Sequence, residues 1–186
     1  MKTICDFLHL LRRMHCPGLA FLLLSLSFVA CLDANAQKHD GVTADTAPST
    51  ATNFDEAANA ALLGMRQRAG ELGISGVAVV AYFEGDSIQS WSSKMTVVGR
   101  MKDNPSPTDK GSNLLAIAYA KAAEMADTLK DSGSQMRPAM TGEFGWTGGV
   151  ILHGKTGYLI AAFSGGKSED DVKVSRAGVE VLKSRL

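Results

Sequence analysis

Residues 76–83, GVAVVAYF, carry no charge and no strongly polar side chain apart from a tyrosine hydroxyl. The β-branched Val77, Val79 and Val80 favour extended backbone. A strand with one face in water alternates apolar with polar residues, and this run does not alternate. It therefore predicts a central strand covered on both faces, so the rest of the chain must supply apolar layers above and below it.

Two further apolar runs stand near the C-terminus, GVILH at 149–153 and YLIAAF at 158–163. Between them, Gly154-Lys155-Thr156-Gly157 reads as the turn of a β-hairpin, with both glycines expected at positive φ. Residues 149–156, GVILHGKT, also satisfy the phosphate-loop pattern G-x-x-x-x-G-K-[ST]. That pattern binds phosphate only between a strand and a helix, where free amides converge on the anion. Here the wildcard positions are themselves strand-like, YLIAAF follows in place of a helix start, and 30 residues remain after Thr156. The context argues against a nucleotide as ligand.

Helical periodicity surrounds these strands. Asn53-x-x-Glu56 reads as a capping box, and Phe54, Ala58, Ala61, Met65, Ala69 and Leu72 then repeat at helical spacing until Gly73. After the turn Glu84-Gly85-Asp86, SIQSWS at 87–92 alternates as a returning strand, and KMTVVGRM at 94–101 supplies a third. Ser106-Pro107-Thr108-Asp109 reads as the start of a second helix, with Leu115, Ala118, Ala122, Met125 and Leu129 inward and Gly133 at its end. Ser168-Glu169-Asp170-Asp171 opens a third, with Val174, Ala177, Val181 and Leu182 inward. The order α-β-β-β-α-β-β-α with short hairpins predicts an α+β domain, an antiparallel sheet of about five strands packed with helices.

The N-terminal residues read as an export signal. Lys2, Arg12 and Arg13 precede the apolar run LAFLLLSLSFVACL at 19–32, and Ala34-Asn35-Ala36 offers a small-x-small cleavage site. An apolar stretch of roughly 14 residues is short of the roughly 20 that span a bilayer. Residues 1–36 are thus expected to be a cleaved signal peptide, and the protein to be periplasmic or extracellular. The alternative is a lipoprotein signal, Phe28-Val29-Ala30-Cys31, with Cys31 acylated. Cys5, Cys16 and Cys31 are the only cysteines, so cleavage would leave a domain without disulfides, thiol nucleophiles or thiolate metal sites. Residues 37–51, QKHDGVTADTAPSTA, are small, polar and non-periodic, a flexible tether, which leaves 52–186 as a single domain. Beyond Ala36, 16 cationic residues balance 17 acidic ones with no long block of one sign. Nucleic acid is not expected as a partner.

Several segments together resemble the GlcG/HbpS-like haem-binding family. They are Gly148-Gly149-Val150-Ile151, the turn at Gly154, YLIAAFSGG at 158–166 and the acidic helix start SEDDVKVSRAG at 168–178. AYAKAA at 118–123, GVAVV at 76–80 and Gly99-Arg100-Met101 are similar to its lysine-alanine helix, its first strand and the end of its third strand. The sequence departs from that family where Ile151 replaces a proline and where Tyr82-Phe83-Glu84-Gly85-Asp86 replaces a glycine-rich turn. The resemblance implies a small α+β domain that assembles into a homo-oligomer, binds haem in some members, and is linked to haem degradation or to sensing oxidative stress outside the cell.

Haem asks for an apolar slot and a donor to iron. His153, at a strand end beside Gly154, is the one histidine of the expected domain and the first candidate iron ligand. Met101, Tyr119 and Lys121 stand at family-like positions as further cofactor-binding candidates, Tyr119 and Lys121 on the expected exposed side of the second helix. Asp170 and Asp171 are expected to complement the last helix's dipole rather than to act as acid and base, and Trp91 and Trp146 to lie in the core, with a role at an interface or in stacking on haem as the alternative. No catalytic triad can be assembled around one histidine. The leading expectation is an exported haem-binding module that is not an enzyme. Two alternatives stay open: an enzyme degrading haem or acting on another small metabolite, and a cofactor-free interaction module serving an envelope sensor protein.

Overall fold

A computed structural model describes residues 50–186, with side chains from Asn53 onward. The expected signal peptide, the cysteines, the Cys31 acylation site and the tether up to residue 49 lie outside the described residues. Helix α1 (Thr50–Glu71) is followed by β1 (Gly76–Glu84), β2 (Ser92–Val98), the two-residue strands β3 (Lys102–Asp103) and β4 (Ser112–Asn113), α2 (Leu114–Thr128), β5 (Gly149–His153), β6 (Gly157–Ser164) and α3 (Ser168–Arg185). No described helix is long and apolar enough to cross a membrane.

The expected α+β class is what forms. Four strands make an antiparallel sheet in the order β2-β1-β6-β5, and β3 pairs with β4 in a separate ribbon. Side chains alternate across a strand, and β1 shows the consequence. Ala78, Val80 and Tyr82 enter a core shared with α1 and α3, while Val77, Val79, Ala81 and Phe83 enter a second core against α2. The sheet is thus the middle layer of three, which is why neither face of residues 76–83 tolerates polar residues. β6 lies beside β1 in register, Tyr82 opposite Leu159 and Phe83 opposite Tyr158, and is equally apolar for the same reason. Full burial of each large side chain in these cores contributes about 1.5–3 kcal/mol.

Helix α1 ends as its sequence predicts: Gly73 takes left-handed backbone (φ 66), and the Ile74 and Gly73 amides donate to Ala69 O at 3.0 Å and Gly70 O at 3.1 Å. Its start differs, because Thr50 opens the helix and Asn53 lies within it. The strand expected at 87–92 is instead a loop, and the returning strand is β2, whose Met95 stands opposite Val79. That shift merges two expected strands into one and makes the main sheet four-stranded. Ser106-Pro107-Thr108-Asp109 closes a tight turn, with Ser106 N donating to Asp109 O at 2.8 Å and the Asp109 carboxylate accepting from Gly111 N at 2.8 Å. Asn113 caps α2 in its place, accepting from Ala116 N at 3.1 Å. The helix stops at Leu129, itself left-handed (φ 55), four residues ahead of Gly133. The hairpin at 149–164 forms as expected, closed by Gly154 N donating to Gly157 O at 2.7 Å. Neither glycine has positive φ; Gly157 is required because an added Cβ would collide with the Phe83 carbonyl oxygen across the ladder.

Candidate functional site

One end of the sheet is built from aromatic rings. The C-terminal residues of β1, the loop 85–91 and the first turns of α1 border a cleft of about 330 Å³ with Phe54, Tyr82, Phe83, Glu84, Gln89 and Trp91 among its lining residues. Tyr82 and Phe83 point to opposite faces of the sheet, so the cleft wraps around the strand end and meets both cores. Phe54 stacks on Tyr82 at 6.3 Å. Trp91 is tilted against Tyr119 at 6.3 Å, and Phe83 stacks on Tyr158 at 5.3 Å. His153, opposite Tyr158 in the β5–β6 ladder, meets that ring edge-on at 4.8 Å. The polar atoms of this end are already positioned: Tyr82 OH and Thr156 Oγ1 share a hydrogen bond of 2.6 Å, and Tyr82 OH donates to Glu84 at 3.4 Å. A cleft with aromatic walls and a few fixed polar groups is the usual form of a small-molecule site.

A second, polar cleft of about 190 Å³ lies where α2 meets the β6–α3 connection, with Lys121 and Asp171 among its lining residues. Lys121 is 3 % exposed, and its ammonium donates to Phe163 O at 2.8 Å and to Asp171 Oδ2 at 2.9 Å. The other Asp171 oxygen accepts from Gly166 N at 2.8 Å. Burial pulls the Lys121 ammonium below its usual range, opposed by the neighbouring carboxylate. Burial likewise pushes Asp171 up, opposed by Lys121 and the Gly166 and Gly165 amides. Gly148 (φ 145) passes so close that an added Cβ would run into Lys121 Nζ. Arg100 secures the adjoining chain, donating to Ser75 O at 2.7 Å, Gly165 O at 2.8 Å and Asp103 at 2.7 Å. Two of the ammonium's three donors are spent inside the fold. The cleft above it is smaller than the roughly 300 Å³ of ordinary ligand pockets, so the arrangement ties α2, β6 and α3 together.

The sequence candidates are distributed between these places. His153, exposed, and Tyr119, half-buried, belong to the aromatic end, each one ring removed from the cleft-lining Phe83 and Trp91 or a neighbour of them. Tyr119 OH lies 3.5 Å from Ser93 Oγ of β2. Lys121 is buried, against the expectation that it faces solvent, because α2 buries Leu114, Ala118, Lys121 and Met125 along one line. Met101 is 43 % exposed, beside the β3–β4 ribbon and outside the lining of both clefts. Asp170 pairs with Lys173 at 2.8 Å on the surface, whereas Asp171 is internal. Trp91 packs on the α2-side core; Trp146 does not enter the core but stands 51 % exposed, against Phe144 at 4.9 Å. Sequence reasoning missed Tyr82 and Phe54 as wall residues, and for Trp91 held haem stacking as the alternative to the core. Tyr82 and Phe83 read in the sequence only as the end of an apolar strand, with no signal that a cleft opens there.

No protein-family model matches the chain, and no curated protein matches it significantly. Among the described residues, no three His, Cys, Asp or Glu side chains gather to hold a metal ion.

Proposed function

We propose that this chain is an exported binding protein for a flat, conjugated small molecule, with haem as the candidate ligand, and that the aromatic cleft at the end of β1 is its seat. The observation that carries the reading is the lining of one cleft by Phe54, Tyr82, Phe83 and Trp91. Phe54, Tyr82 and Phe83 are buried and form the backing of the cleft, and the half-buried Trp91 is the ring left accessible for a planar ring system to stack on. Haem fits this surface better than the polar cleft, since it asks for an apolar slot and one protein donor to iron. Tyr82 is the donor that lines the cleft, and its hydroxyl is held by Thr156. His153 stands on the same aromatic end, outside the lining. Haem bound there would supply iron redox and ligand chemistry, while the protein's own residues stack, orient and exclude water. Export and self-association, which the signal-like N-terminus and the family resemblance suggest, belong to the same proposal.

Absorbance titration of the full chain with hemin tests it. A saturable, shifted Soret band is expected, with Trp91→Leu weakening affinity about three- to tenfold through lost stacking. Tyr82→Phe should move the band position with stacking retained, and His153→Ala should leave it unchanged. A titration without a shifted band would remove haem as the ligand. A band abolished by His153→Ala and untouched by Tyr82→Phe would place the iron donor elsewhere.

A further inference from the structure

A third cleft, of about 420 Å³, opens between α2 and the loop 130–148, with Glu124, Met136, Arg137 and Pro138 among its lining residues. Glu124 is 7 % exposed. Its Oε1 accepts from Gly133 N at 2.8 Å, and its Oε2 has no donor among the described residues. Every enclosed side-chain nitrogen or oxygen among those residues has a partner, so Oε2 is not fully enclosed, and the residue that carries it lines the cleft. The one cation at the rim is already committed. Arg137 donates to Glu143 Oε2 at 2.7 Å, to Glu143 Oε1 at 2.8 Å and to Asp127 Oδ2 through Nε at 3.1 Å. With these groups ionised, the carboxylates of Glu124, Asp127 and Glu143 exceed the one guanidinium by two negative charges. Met136 and Pro138 add apolar wall.

We propose that this cleft binds a primary ammonium carried on a short apolar body, the ammonium donating to Glu124 Oε2 and the body lying over Met136 and Pro138. One free carboxylate oxygen selects among cations. A guanidinium pairs best with a carboxylate through both oxygens, and Gly133 N already occupies one acceptor site of Oε1, which leaves the guanidinium fork less well matched here than a point donor. A divalent ion is held best where several carboxylates converge, and among the described residues no three His, Cys, Asp or Glu side chains gather to hold one. An ammonium is a point donor that one oxygen satisfies, and a buried carboxylate gains most from such a partner. The proposal is independent of the aromatic cleft.

The probe is n-butylammonium chloride, titrated into the ¹⁵N-labelled full chain with n-butanol as the neutral counterpart. Saturable amide shifts at Gly133, Met136 and Ala139 are expected with butylammonium and not with butanol. Glu124→Gln, which keeps an acceptor for Gly133 N, should weaken binding about tenfold or more. Met136→Ala, which leaves the charge in place, should weaken it by a smaller factor, and it tests the site if Glu124→Gln fails to fold. Absence of saturation, an equal response to butanol, or unchanged affinity in both variants would overturn the proposal.

Discussion

Lys121 sits in AYAKAAE, residues 118–124, where small side chains let α2 approach the sheet closely, and that approach buries the ammonium. Removing one member of a buried ion pair leaves the other uncompensated. Lys121→Met is therefore expected to lower stability by about 3–5 kcal/mol in urea denaturation, and Lys121→Met with Asp171→Leu to recover a large part of that loss. A double variant as unstable as the summed singles would mean that the pair is not the unit. The alanine-rich sequence explains why the lysine was placed outward from sequence alone. With Ala on several sides of the helix, its apolar face has no sharp edge, and a face through Leu115 and Leu129 is as plausible as the observed one through Leu114, Ala118, Lys121 and Met125. Tyr82 was hidden for the opposite reason: within an all-apolar strand, one position gives no sign that it ends at a cleft.

Among the elements, the loop 130–148 has the clearest dependence on pH. Hydrogen bonds from Arg137 and the Met140 amide hold the Glu143 carboxyl at about 2, below its ordinary 4.5. Because the folded value is depressed, the native loop binds fewer protons than the unfolded chain in this range. Its contribution is complete above about pH 4.5 and is lost as pH falls through about 2. The Glu143 carboxyl ¹³C resonance should titrate near the lower value, and the Met140 amide, which donates to Glu143 at 2.9 Å, should lose exchange protection along with it. Titration at the ordinary carboxylate value would show that the Arg137 clamp is open in solution. The start of α2 offers a second check: Asn113→Ala removes the acceptor of Ala116 N and should cost about 1 kcal/mol in urea denaturation. Sequence reading erred here because Ser106-Pro107-Thr108-Asp109 has the residue types of both a helix start and a tight turn, and the Asp109 bond to Gly111 N decides for the turn. The 149–164 hairpin was legible because its two apolar runs and glycine-bounded gap admit one local geometry. Its glycines are needed for close backbone approach at Gly157 rather than for positive φ, a distinction that depends on the neighbouring β1 strand.

At the scale of the whole molecule, a sheet buried on both faces leaves a ligand little room between layers, and clefts open where strands end and loops begin. The class of the fold follows from the two uncharged strands, but the site does not, since it is assembled from α1, β1 and the loop before β2, residues far apart in sequence. The chain has two tryptophans: Trp91 lines the proposed seat, and Trp146 stands exposed on the loop 130–148. Their indole N–H resonances report the two places separately. In a ¹H–¹⁵N titration of the full chain with gallium protoporphyrin, a diamagnetic planar stand-in for haem, the aromatic-cleft account predicts a saturable ring-current shift of the Trp91 indole resonance with Trp146 left in place. A shift at Trp146 alone, or movement of neither, would contradict it.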